Sequence, residues 1–111
     1  MNAKTEKLTQ VINHALEEAK AKNIVVLDVA EMTSITDHMM VASGTSSRHL
    51  KALANAVISD VKAQGFEVLG IEGEAGAEWI LVDMADVILH VMLPETREFY
   101  NLEKFWSMPA A

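Results

Sequence analysis

Four histidines, sixteen carboxylates and a serine-rich turn are the residues of this chain that invite a search for an active site. His14, His38, His49 and His90 include no pair at the spacing of a local metal motif such as His-x-x-x-His, so a metal centre requires the fold to gather distant residues. His90 interrupts an apolar run, where a histidine is more often a hydrogen-bonded core residue than a catalyst. The turn Ser43-Gly44-Thr45-Ser46 offers backbone amides that favour an anion, although a serine helix cap explains it as well and is the commoner use. It is no P-loop, since no Gly-Lys-Ser/Thr follows. Nor is it a nucleophile elbow, since Arg48 stands where the second glycine of Gly-x-Ser-x-Gly belongs.

Nucleotidyltransferases follow a Gly-Ser turn and a helix with a strand bearing two carboxylates one residue apart, which hold magnesium on one side. The corresponding segment here offers Glu67 and Glu72, whose odd separation sends them to opposite faces of a strand. A nucleotidyltransferase-like scaffold fits the order of elements, but the metal pair is missing, and no cofactor or metal is expected. A scaffold alone confers no activity.

Trp79 follows an acidic, glycine-rich loop running from Glu72 through Glu74 to Glu78, and alternation puts it on one strand face with Leu81 and Asp83. Tryptophan beside carboxylates is the composition of an interface anchor facing an arginine-rich partner. It is equally that of core packing at a strand end. Asp83 and Asp86 flank a tight turn, where aspartate is expected for turn chemistry alone. Met39, Met40, Met84 and Met92 suit gap-filling in a core more than an adaptable surface.

The elements that must position these residues are legible from periodicity. Leu8, Val11, Ile12, Ala15, Leu16 and Ala19 trace one face of a first helix. Ile24–Val29 reads as a strand buried on both faces, and His38–Ala42 as a second strand ending in the serine turn. Leu50, Leu53, Ala54, Val57, Ile58 and Val61 give a second helix that stops at Gln64-Gly65. Phe66–Ile71 reads as a third strand. Trp79–Asp83 and Asp86–Met92 form an antiparallel hairpin turning at Met84-Ala85, and Pro94 starts a last helix through Arg97 and Tyr100. The order α-β-β-α-β-β-β-α predicts an α/β (α+β) fold with a mixed five-stranded sheet and packed helices.

At 111 residues and 12.2 kDa the chain suits one domain with one core, expected over residues 1–111 with its body at about 5–106. No cysteine is present, which excludes disulfides and thiol chemistry. The N-terminal residues lack the apolar stretch of a signal peptide and no run is long enough to span a bilayer, so a soluble, cytoplasmic protein is expected. The net charge of -7 is concentrated between Ala63 and Thr96, where seven carboxylates meet no lysine or arginine. That segment repels a phosphate backbone and matches a basic protein surface, or is simply a solvated acidic face.

The ordered set Asp28-Val29, Thr36-Asp37, Ser43–His49, Glu72-Gly73, Glu78–Asp83, Asp86–Met92, Arg97-x-x-Tyr100 and Leu102-Glu103-x-x-Trp106 resembles the ribosomal silencing factor, or Iojap, family. The resemblance implies a non-enzymatic factor that binds the fourteenth protein of the large ribosomal subunit, blocks joining of the small subunit, and slows translation in starvation or stationary phase. It also implies a homodimer in solution, a nucleotidyltransferase-like fold without catalytic carboxylates, and a ribosome-contacting role for Trp79. On this reading Trp79 enters a pocket of the partner while Glu72, Glu74, Glu78 or Asp83 pair with its arginines and lysines. Asp83, His90, Arg97 and Tyr100 match the family pattern without an assigned role. An enzyme acting on nucleotides and a general dimeric adaptor are the alternatives from other classes.

Overall fold

Apolar residues returning every three or four positions make two long helices, and the computed structural model, which describes residues 3–107, lays both on one side of a sheet. Helix α1 (Ala3–Glu18) buries Leu8, Ile12, Ala15 and Leu16, and α2 (Ser47–Ala63) buries Leu50, Leu53, Ala54, Val57 and Val61. The strands are β1 (Lys22–Asp28), β2 (His38–Ser43), β3 (Gly70–Glu72), β4 (Trp79–Asp83) and β5 (Val87–Met92). Two short helices follow, α3 (Pro94–Tyr100) and α4 (Leu102–Ser107). The strand order is β1-β2-β5-β4-β3, with β2 and β5 parallel and every other neighbouring pair antiparallel. The mixed five-stranded α/β fold expected from the sequence is the one found, with α4 added at its end.

Alternation divides the sheet into two faces. Met40, Ala42, Ile80, Val82, Leu89 and Val91 point toward α1 and α2 and form the main core. Met39, Val41 and Met92 point the other way, where Leu27, Val29, Trp79 and Leu102 complete a smaller cluster. This second face carries the site described below.

Two strand expectations need correction. The segment expected as a strand over Phe66–Ile71 pairs only from Gly70, because Phe66 and Val68 turn onto the helix-side core instead of entering the ladder. Glu67 therefore stands outside any strand, and its supposed alternation with Glu72 does not arise. The first strand is not covered on both faces: β1 is a sheet edge with Val26 42% exposed. Its register breaks between Lys22 and Val25, where Asn23 takes a left-handed φ of 50°. Val29 lies beyond β1 but is fully buried, its N–H bonded to the Asp37 carbonyl.

Candidate protein-binding site

The β4–β5 hairpin sets the geometry. Leu81 sits opposite His90 and Trp79 opposite Met92, so Trp79 and His90 lie diagonally on the second face, within reach of long side chains. The Trp79 indole Nε1–H donates to His90 Nδ1 at 2.9 Å, and the two rings are tilted by 46° with centroids 5.8 Å apart. His90 is 5% exposed, and burial pushes its pKa from 6.5 down to about 4, so the ring is neutral and free to accept at Nδ1. The expectation of a hydrogen-bonded core histidine is met, with a tryptophan as its donor.

Helix α3 brings a third ring. Tyr100 packs on Trp79 with centroids 4.9 Å apart, and Phe99 meets Tyr100 edge-on at 5.1 Å. Tyr100 is 54% and Phe99 81% exposed, so a half-buried tryptophan is continuous with two exposed aromatics. The sequence alone assigns no role to Tyr100 and none to Phe99. The available signal was two adjacent aromatics closing a seven-residue helix that is too short to bury both.

The acidic loop is shaped around the tryptophan backbone. Gly73 has a φ of +87°, and a Cβ there would stand 2.1 Å from the Trp79 carbonyl oxygen, so no other residue fits without moving the loop. Glu72, Gly73, Trp79 and Leu81 line an open hollow of about 260 Å³. Glu78 faces a different hollow of about 330 Å³, shared with Thr45, Pro94 and Glu95. Glu74 is exposed in the loop. Asp83 shares the Trp79 face but lies four residues along β4, roughly 13 Å away. One of its oxygens, Oδ1, is already taken by the Ala85 N–H of the hairpin turn. The structure thus brings Glu72 to Trp79 and spreads Glu74, Glu78 and Asp83 around it.

The groups that first suggested catalysis have structural work. Ser46 caps α2, its side chain accepting the His49 N–H at 3.1 Å. The His49 ring accepts the Thr45 N–H at Nδ1 and reaches the Ala19 carbonyl through Nε2 at 2.7 Å, tying the start of α2 to the end of α1. Ser43 Oγ accepts a bond from Arg97 Nη1 at 2.9 Å, and Arg97 also pairs with Glu103. Among the described residues no group of three His, Asp or Glu side chains is placed to hold a metal ion. No helix among them is long and apolar enough to cross a membrane. The Trp106 position of the sequence pattern lies outside the residues whose side chains are described.

Comparison with known proteins adds a family. The family described as "Ribosomal silencing factor during starvation" matches residues 2–110. A ribosomal silencing factor of Chromobacterium violaceum is 43% identical over 102 residues, covering 92% of this chain and 84% of that protein. A mouse protein named "Mitochondrial assembly of ribosomal large subunit protein 1" is 36% identical over 96 residues, which span 84% of this chain and 42% of that protein. A crystal structure of a Chromobacterium violaceum protein superposes with a TM-score of 0.91 at 40% identity, covering all of this chain and 91% of that one.

Proposed function

This chain belongs to the ribosomal silencing factor family, and on that premise we propose that it binds the large ribosomal subunit through a basic protein there, the fourteenth of that subunit, and excludes the small subunit by occupying the joining face. The observation that carries this reading is Trp79, half-buried between His90 and Tyr100 and bordered by an acidic loop without a single lysine or arginine. The name of the mouse relative, which refers to the large subunit, points the same way.

The division of labour follows from burial. The tryptophan and its aromatic neighbours, desolvated on docking, set residence time, while Glu72, Glu74, Glu78 and Asp83 at the rim steer encounter with a cationic surface. No bond is made or broken, so the factor works by occupancy and not as an enzyme. On the same reading residues 1–111 act as one domain in the cytoplasm, as a homodimer when free, without cofactor or metal.

Binding to purified large subunits tests the site. Trp79→Ala should weaken affinity by about 30-fold or more, the scale of an interface hot spot of about 2 kcal/mol. A folded variant that binds as tightly as the native chain would remove Trp79 from this role.

A further inference from the structure

His90 is an exception on its strand. Its neighbours Leu89, Val91 and Met92 are apolar and fully buried, and on the same face it packs beside Val41 and Leu81. Among the described residues, the bond from Trp79 is the one hydrogen bond its ring makes, and Nε2 is buried with no partner. Because Nδ1 accepts, the neutral ring carries its proton on Nε2, so the chain keeps a buried, unsatisfied donor at this position. Such a group is a cost to folding that an aliphatic residue would avoid, and polar groups that break the local rule tend to serve a site.

We propose that His90 is the positioning residue of the docking surface: by accepting the indole N–H it fixes the tilt of Trp79 against Tyr100, so that the tryptophan meets its partner as a pre-set apolar ring with no donor to satisfy. The proposal rests on the reading of Trp79 as the anchor and names what holds the anchor in place. Three observations support it. The 2.9 Å bond runs between adjacent strands of a rigid hairpin, which fixes the acceptor. Tyr100 closes the other side of the indole at 4.9 Å, so the ring is held from two directions. Burial keeps the histidine neutral, and therefore an acceptor, throughout the physiological range. A side chain already held in its bound rotamer loses less entropy on docking, which is how preorganisation raises affinity.

The test uses the full chain and purified large ribosomal subunits. Replacing Trp79 by β-(3-benzothienyl)alanine keeps the ring and puts sulfur where the N–H was, leaving His90 untouched. Affinity should fall up to about tenfold, the scale of the entropy lost in immobilising one side chain on docking. His90→Leu should fall similarly. His90→Asn, whose Oδ1 can accept near the Nδ1 position, should recover most of the loss and return the Trp79 indole N–H resonance toward its native shift. Native affinity for the benzothienyl chain overturns the proposal, as does a loss in a folded His90→Leu that His90→Asn does not recover. Trp79→Ala separates the two levels. If it binds normally, the anchor reading has failed; if it binds weakly while the benzothienyl chain binds normally, only the positioning role has.

Discussion

A neutral imidazole inside a sheet has a consequence for stability that can be worked out in sign. The unfolded chain takes up the His90 proton near pH 6.5, whereas the folded chain resists it until about pH 4. Between those values the unfolded state binds more protons, so stability falls as pH falls through the window from 6.5 to 4, and this contribution is level outside it. The full span is on the order of 3 kcal/mol. Urea unfolding at a series of pH values, compared with the same series for His90→Asn, should show a steeper native slope in that window; parallel slopes would contradict it. His90 was legible as a core histidine because the residues around it are apolar. Its donor was not, since nothing in a linear sequence says which residue eleven positions away will lie diagonally across a hairpin.

Among the elements, one side chain ties α3 to both β2 and α4. Arg97 is 11% exposed and joins Ser43 at the end of β2 to Glu103 in α4, while Asn101, with a left-handed φ of 47°, turns the chain between the two helices. Neither helix is long enough to be stable by itself. Arg97→Met should therefore lower stability by about 1–3 kcal/mol, as two partners lose their donor. It should also loosen Tyr100 from Trp79, seen as greater mobility of the α3 amides in relaxation measurements; unchanged α3 dynamics would place the clamp elsewhere. The long helices could be read from sequence because their periodicity is strong and Ser46 caps α2. The start of β3 could not, because Phe66 and Val68 look like strand residues but are recruited by the helix-side core. The edge position of β1 was equally hidden, since strand order is set by pairing partners and not by composition.

Over the whole molecule, α1 and α2 cover one sheet face, α3 and α4 lie at the other beside Trp79, and the base-free acidic segment supplies β3, β4 and β5 with the loop between them. Trp79 read equally as an interface anchor and as core packing, whereas the clustering of negative charge along the chain was plain in the sequence. The grouping was not: folding sets Glu72 beside Trp79, turns Glu78 toward Pro94, and brings Tyr100 and Phe99 in from another element. If the carboxylates steer encounter, Glu72→Gln, Glu74→Gln and Glu78→Gln combined should slow association with large subunits by about tenfold at low salt, flatten its salt dependence and leave dissociation nearly unchanged. A change confined to dissociation would make these groups part of the buried contact.

On the proposed reading this fold acts by covering a surface. Purified large subunits, preincubated with an excess of the chain and then mixed with small subunits, report on it through light scattering as joined ribosomes form. Joining should be suppressed by the native chain and restored by Trp79→Ala. Full joining at saturating native chain would show that the fold does not exclude the small subunit.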